Sequence, residues 1–449
     1  MLRRLPRPRH AVIRPLTRCG ASPQRRQLLT LAIETSCDDT CVAILEKHGG
    51  TSMPDDWPGR ARLHFHEKIT AANTGKGGIH PLEALDSHRM NLAALIQRSM
   101  GSLPPSNGRG QQSMVGPDGV SRKIPDFVAV TRGPGMRSNL SCGLDTAKGL
   151  ATAWRIPMVG VHHMQAHALT PRLVHALNNR SSDPQPVFPF FNLLVSGGHT
   201  MLLHSTFLTS HAILASSIDN AIGDCLDKCG RWILPADVLA STNDTAYGKH
   251  LSNYAFPTPD TFKQYPLPSR RRDELDKPVN EYGWSLQVPL SKSRDMSFSF
   301  AGIPSHVERV LTKKPNISYD ERLLLARTVI GVSFEHLASR ICLALDQQAQ
   351  TRSDRAIDTL VVSGGVAANA FLRWFLRETL NARGYGSVQL VFPPVELCTD
   401  NAAMIAWAGM EMYEAGWRTS FDVSAVRKWS MDTSAEDGGI LGLGGWYQA

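Results

Sequence analysis

The chain has 449 residues, enough for two or three domains with their own cores, and its 42% hydrophobic and 20% charged content fits a globular protein. No uninterrupted apolar run reaches the ~20 residues that span a bilayer, which excludes an evident spanning segment, and no membrane partner is expected. The net charge of +8 carries no message about nucleic acid: residues 1–27 hold eight Arg, no Lys and no acid, and without them basic and acidic side chains are about equal in number.

In chain order, the Arg-rich, acid-free segment 1–27 predicts a mitochondrial targeting segment and hence the matrix. A basic arm on nucleic acid is the other reading, and Pro6, Pro8 and Pro15 weaken an import helix. Leu28 to Glu34 and Cys41 to Leu45 read as strands around a polar turn. Residues 81–100 read as a helix, and 104–123, rich in Gly, Pro and Ser, as an exposed insertion. Phe127 to Val130 predicts a strand, Asn139 to Trp154 a helix, and Pro157 to Val161 a strand. The polar stretch 173–187 suits a domain joint. Phe191 to Val195 and Thr200 to Leu203 form a hairpin pattern, and Asp219 to Trp232 a helix. Residues 233–295 are irregular. Leu323, Ala326, Ile330, Phe334, Leu337, Ile341 and Leu345 step by three or four, so 321–346 predicts a core helix. Strands at Thr359 to Val362 and Val388 to Phe392 alternate with helices at Ala367 to Leu380 and Asn401 to Met412, before a Gly-rich tail. The mixture favours an α/β protein of two lobes with a cleft between them.

Eight Cys occur, none as C-x-x-C; the 37/41 and 225/229 pairs are too loosely spaced for a usual zinc knuckle, so reduced, mostly buried thiols are expected. Two Gly-rich turns, Ser196-Gly197-Gly198-His199 and Ser363-Gly364-Gly365-Val366, follow strands. Glycine lets the backbone approach a ligand and present its N–H groups, which suits a phosphate or nucleotide; a tight turn is the plain alternative. His163 and His167 stand four apart, one helical face that can bind a metal or hold two satisfied polar histidines. Met164 occupies the place where a zinc peptidase needs its Glu base. Asp400, before a helix, is the candidate third ligand. Arg132-Gly133-Pro134-Gly135 reads as scaffold or ligand contact, and Glu34, Asp38 and Asp39 as turn acids able to orient a water, a metal or an amine.

These motifs together resemble one family. Leu31 to Thr40 is similar to "GIETSCDET", Thr131 to Gly135 with Gly143 and Lys148 to "GPG…AK", and His163 to His167 to "HMEGH". Leu194 to Thr200 is similar to "LVSGGHT", Ser297 to Gly302 to "FSFSGLK", Ser363 to Asn369 to "GGVSAN", and Cys398 to Ala406 to "CTDNAAMIA". Over residues 28–431 the order matches the tRNA N6-adenosine threonylcarbamoyltransferases (TsaD-like), and the import-like leader matches their mitochondrial branch. The resemblance implies an α/β fold of two actin-like (ASKHA, RNase-H-like) lobes around a nucleotide and metal cleft. The first lobe would span 28–172, completed by 395–431; the second would span 173–394 with the irregular insertion 233–295, followed by a loose tail at 432–449. It implies transfer of threonylcarbamoyl from threonylcarbamoyl-AMP to N6 of the adenosine 3' of the anticodon in tRNAs reading ANN codons, by a homodimer.

Carried over by residue, His163, His167 and Asp400 would hold one divalent cation, iron or zinc. Leu194, Val195, Ser196, Gly197 and Gly198 would line the substrate site. Asp227 matches the Asp of "FDK" and would bind the ribose or nearby polar groups. Gly248 matches the second Gly of "YPGGP" with Ala255 as anchor, Ser252 falls where Glu is common, Ala368 would bind substrate, Asn369 would meet the adenine side, and Thr399 lies beside the metal ligand. Asp38 is the expected proton acceptor or orienting group. Gln165 departs from the Glu of "HMEGH", residues 81–88 depart from "PELASRAH", and 246–249 depart from "YPGGP". Two other classes compete. An ASKHA-type small-molecule kinase has no use for the His163, His167 and Asp400 set, and an Hsp70-type switch needs a peptide-binding domain for which no residues remain.

Overall fold

The computed structural model describes residues 27–49, 57–72, 79–106, 108, 112–181, 183–242, 244–275, 277–350 and 357–449; the expected targeting segment lies outside these residues except for Gln27. The strands are β1 (Leu28–Glu34), β2 (Asp39–Lys47), β3 (Ala61–Thr70), β4 (Ser113–Val115), β5 (Ser121–Lys123), β6 (Phe127–Gly133), β7 (Met158–His162), β8 (Phe190–Val195), β9 (Thr200–Phe207), β10 (Ser210–Ser217), β11 (Ser297–Phe298), β12 (Thr359–Ser363), β13 (Gln389–Val391), β14 (Trp417–Thr419) and β15 (Trp446–Gln448). The helices are α1 (Pro81–Met100), α2 (Arg137–Trp154), α3 (His163–Asn178), α4 (Ile222–Ile233), α5 (Ala236–Ser241), α6 (Tyr247–Ala255), α7 (Pro259–Phe262), α8 (Gly302–Lys313), α9 (Tyr319–Gln350), α10 (Ala370–Ala382), α11 (Val395–Cys398) and α12 (Ala402–Glu414).

One strand order occurs twice. In the first sheet, β15-β14-β7-β6-β1-β2-β3, the antiparallel meander β1-β2-β3 is extended by β6 and β7 parallel to β1. In the second, β11-β10-β9-β8-β12-β13, the meander β8-β9-β10 is extended by β12 and β13 parallel to β8. This duplicated order is the two-lobed actin-like α/β fold. A duplication spaced by half the chain leaves no short-period repeat in the sequence.

The central strands read as unbroken apolar runs because both faces are covered. Leu29, Leu31 and Ile33 enter one core with Leu92 and Leu95 of α1 and Leu140 and Leu144 of α2. Ala32 faces the other way, into a core with Leu169 of α3 and Met404 and Trp407 of α12. That second core also takes in Leu194 and Leu203 of the other sheet, so α3 lies between the lobes. Arg172 of α3 grips Glu411 of α12 in a buried two-pronged pair at 2.8 and 3.0 Å. Helix α9 is long and apolar enough to cross a membrane, yet 94% of its most apolar window is buried in the protein.

Several expectations are corrected. The stretch 173–187 does not open a joint at Leu173, because α3 continues to Asn178 with Leu173 and Ala176 buried. Residues 104–123 are not all loop but contain the small β4–β5 hairpin. The helix after the second Gly turn begins at Ala370, because Gly365–Ala368 first winds as a 3-10 turn. Residues 432–449 are not a loose tail: β15 pairs with β14, Ile440 is fully buried, and the Trp429 and Trp446 indoles donate to the Gly439 and Ile440 carbonyls. Two Trp anchors and a sheet edge supply the apolar burial that the Gly-rich composition hid. The seven described cysteines are all unpaired, and five of them are buried.

The "FSFSGLK"-like stretch is a structural lock. Asp219 accepts from Ser299 Oγ at 2.6 Å and from the Phe300 amide at 2.8 Å, and His336 Nε2 accepts from the Ser299 amide at 3.0 Å. Burial, with help from Arg340, pushes His336 down to about 3, so it is neutral when folded. A depressed folded value means stability is lost as pH falls from 6.5 towards 3, where the unfolded chain binds the proton first. We expect His336→Asn to remove on the order of 2 kcal/mol of the acid-induced loss between pH 6.5 and 4, read by urea unfolding at stepped pH.

Candidate functional site

Strand β7 ends at His162, and α3 begins at His163. The His162 ring caps this start, its Nδ1 accepting from the Met164 and Gln165 amides, while Nε2 holds the Trp429 carbonyl at 3.1 Å. Burial keeps His162 neutral, at about 3, as an acceptor requires. The cap fixes the rotation of α3, and the 3.6-residue period places His163 and His167 on one face. Asp400 reaches that face from the turn between α11 and α12, where Asn401 caps α12 by accepting from Met404 N at 2.9 Å. The Arg172–Glu411 pair ties α3 to α12, the helix that follows Asp400.

The Nε2 atoms of His163 and His167 lie 3.4 and 3.1 Å from the same Asp400 oxygen, Oδ1. One donor atom from each of the three residues lies within 4.8 Å of the others. A tetrahedral centre with ~2.0–2.1 Å bonds separates its ligand atoms by about 3.3 Å, which both distances to Asp400 Oδ1 match, so two imidazoles and a carboxylate here could hold one cation. His167 Nδ1 is buried without a partner. Behind His163, Nδ1 meets Ser36 Oγ at 3.2 Å and Glu34 Oε2 at 3.4 Å. Glu34 is itself held by Thr131 Oγ1 and by the Ser36 amide at 2.6 Å. Burial opposes charge on His163, Asp400 and Glu34. The attraction of Asp400 and Glu34 nevertheless raises His163 to about 10, and the histidines keep Asp400 and Glu34 below the usual carboxylate range.

The two Gly-rich turns meet beside this cluster. Strands β8 and β12 pair in parallel up to Leu194 opposite Ser363. Gly364 has φ +95° and packs on the Val195 backbone, and a Cβ there would collide with the Val195 carbonyl. Gly197 and Gly198 open into free space, whereas a Cβ on Gly365 would lie 3.9 Å from Thr399 Cγ2. Thr399 Oγ1 accepts from Lys68 Nζ at 3.0 Å, and the same ammonium pairs with Asp39 at 3.1 Å. Burial pushes Asp39 up to about 6, and Lys68 only partly offsets it.

Leu194 and Val195 have buried side chains, so only their backbone can serve a ligand. Ser196 binds the Gly223 amide through its carbonyl at 3.1 Å, seating the turn on α4. Asp227 of α4 accepts from the Gly248 amide at 2.6 Å, and Gly248 has no room for a side chain against Leu226. Burial pushes Asp227 up to about 6. One turn along α6, Ser252 Oγ accepts from Asn369 Nδ2 at 2.8 Å while Asn369 Oδ1 caps α10. Asp227, Gly248, Ser252 and Asn369 thus form one wall. The 3-10 turn ending at Ala368 touches β8, α4 and α11 and joins that wall to Thr399 and Asp400. Asp38 stands half-buried on the β1–β2 turn, where burial and the charges of Asp400 and Asp38 raise the Cys37 thiol.

Three contributors escaped the sequence reading. Glu34 was visible as a turn acid but not as the partner of His163. His199 sits close enough to His163 and His167 that, after burial, their charge depresses it to about 4. Lys68 comes from β3, which carries no motif. Gln165, the departure from "HMEGH", points away from the cluster: its Nε2 donates to the Leu208 carbonyl at 2.8 Å, a bond an ionised Glu cannot make.

The sequence profile of TsaD, tRNA N6-adenosine threonylcarbamoyltransferase, matches residues 64–407. The mitochondrial tRNA N6-adenosine threonylcarbamoyltransferase of Schizosaccharomyces pombe is 34% identical over 442 residues, covering 94% of this chain and 89% of the relative. The enzyme of the same name from Cereibacter sphaeroides is 32% identical over 416 residues, covering 91% and 96%. The mitochondrial one of Rattus norvegicus is 30% identical over 434 residues, covering 94% and 91%. With a profile match over most of its length and relatives aligned nearly end to end, the chain belongs to the tRNA N6-adenosine threonylcarbamoyltransferase family.

Proposed function

We propose that this chain, in the mitochondrial matrix and as a homodimer, transfers threonylcarbamoyl from threonylcarbamoyl-AMP to N6 of the adenosine 3' of the anticodon in tRNAs reading ANN codons. The observation that carries the reading is the convergence of His163, His167 and Asp400 beside the two Gly-rich turns. When bound by those three residues, a divalent cation, iron or zinc, supplies polarisation of the phosphate and threonyl oxygens.

The protein's own groups bind, orient and accept. The Ser196 amide closes the turn on the His199 carbonyl at 2.8 Å, and the Gly197–Gly198 backbone, with no side chain in the open space beside it, takes up charge on the phosphate as it leaves. The wall of Asp227, Gly248, Ser252, Ala368 and Asn369 receives the nucleoside, and Thr399, held by Lys68, borders the metal ligand. The adenosine N6 forms its bond to the carbamoyl carbon as the bond from that carbon to the phosphate oxygen breaks, and AMP departs. The anhydride is already activated, so positioning the amine supplies much of the rate and no protein nucleophile is required. The N6 proton goes to a base, a role we assign to Asp38. We expect Asp38→Asn to lower turnover roughly 100-fold at an unchanged melting temperature; unchanged turnover removes Asp38 from the reaction. Glu34 orients His163 through Nδ1, so Glu34→Gln is expected to weaken metal affinity about 10–100-fold, measured by competition with a chelator.

The deciding experiment incubates the purified protein with threonylcarbamoyl-AMP and unmodified mitochondrial tRNA, with no other protein present. Mass analysis of the digested nucleosides should show threonylcarbamoyladenosine and stoichiometric AMP. Its absence overturns the reading.

A further inference from the structure

The β6–β7 register shifts between Thr131 and Gly133, and the facing of Arg132 is set by its neighbour Gly160: Val159 and Val161 on either side of Gly160 enter the core with α3, whereas a Cβ on Gly160 would meet the Arg132 side chain at 3.2 Å. Thr131 faces Glu34 and the metal ligands. Arg132 faces the other side, where it lines an open cavity of about 590 Å³ with Arg137, Arg427 and the segment 443–445. Arg132 is 6% exposed, and its NH1 has no hydrogen-bond partner. Its Nε donates to the Ser424 carbonyl at 3.3 Å, and its guanidinium lies 5.5 Å from the centroid of the Trp429 ring. Arg137 and Arg427 are exposed. The one acid lining the cavity is Asp422, bound to Ser420 Oγ, so cations outnumber anions three to one.

Arg137, the first residue of α2, lines this cavity; α2 is an 18-residue helix with Met136 at its cap position, no side-chain cap and no acid in its first turn. A helix start carries positive potential and free N–H groups, and Arg137 adds a cation where the dipole disfavours one. A buried donor without a partner is costly, and more so when charged. A buried guanidinium nitrogen without a partner, a helix start without a side-chain cap and two exposed arginines around one cavity share a single remedy, a bound phosphate.

We propose that this cavity binds a phosphodiester of the tRNA strand, a second anchoring point on the opposite face of the sheet from the metal ligands. The assignment to tRNA, rather than to a small phosphate compound, rests on the transferase reading above. It also rests on charge: residues 28–449 carry no net excess of cations, so backbone phosphates must be met by local clusters, and this one is exposed and open.

The test measures binding of unmodified tRNA to the full chain by fluorescence anisotropy from 50 to 300 mM salt. The variants are Arg137→Gln/Arg427→Gln, which alters only exposed side chains, and separately Arg132→Gln, with metal content and melting temperature as folding checks. The expected result for the double variant is about tenfold weaker binding near 0.15 M salt and a log–log salt slope shallower by roughly 1.5. Wild-type affinity and slope in the double variant overturn the proposal and leave the transferase reading standing. Loss of inorganic phosphate binding without loss of tRNA binding makes the cavity a small-anion site and also overturns it. A wild-type chain that fails to bind tRNA overturns both.

Discussion

His163→Ala, His167→Ala and Asp400→Ala are each expected to abolish stoichiometric metal binding and to lower transfer by at least about 1000-fold, on the order of 4 kcal/mol in the transition state. Both imidazole Nε2 atoms are aimed at one carboxylate oxygen, so each loss leaves two donors and a gap where the third stood. Two protein ligands are fewer than the three that catalytic sites usually provide. The three variants should share one phenotype because they disable one unit, and double variants should be no worse than singles. Metal content by elemental analysis after gel filtration, alongside nucleoside mass analysis, checks the claim. A variant that keeps one equivalent of metal sinks the assignment of that ligand. A small-molecule kinase would show no difference in bound metal between these variants and the wild type.

Gly364→Ala should destabilise the protein by about 3 kcal/mol or more and leave little activity even where the chain still folds. The cost has two independent sources. At φ +95° and ψ 165° the backbone occupies a region essentially reserved for glycine, worth about 1–3 kcal/mol. The new methyl would also collide with the Val195 carbonyl, a backbone atom of the neighbouring parallel strand that cannot rotate away. Relief requires β8 and β12 to part where they hold the Ser196–Gly198 turn and the 3-10 turn against Thr399. Urea unfolding reads the stability and the tRNA assay reads the consequence. Gly198→Ala is the control, because a methyl at that position meets no atom within 4 Å, and it should fold normally. Equal stability of Gly364→Ala and the wild type would refute the strain argument.

The amino-acid order alone determined the local parts of this protein and its family. Runs such as Leu28–Glu34 and Thr359–Ser363 are strands because they are apolar on both faces, and α9 is a helix because its apolar residues keep a helical step along its length. The pairing of His163 with His167 follows from the 3.6-residue period of one helix, and Asp400 sits before a helix that its neighbour Asn401 caps. Only the tertiary structure decided what lay between those parts. His167 and Asp400 stand 233 residues apart, and no local pattern states that α3 and α12 cross with Arg172 clasping Glu411. Glu34 behind His163, Lys68 against Thr399, the docked tail and the opposed directions of Thr131 and Arg132 likewise arise from packing. Periodicity reports how a segment turns about its own axis; which segment it meets depends on burying apolar faces from the whole chain at once, and that choice is not encoded in any short stretch.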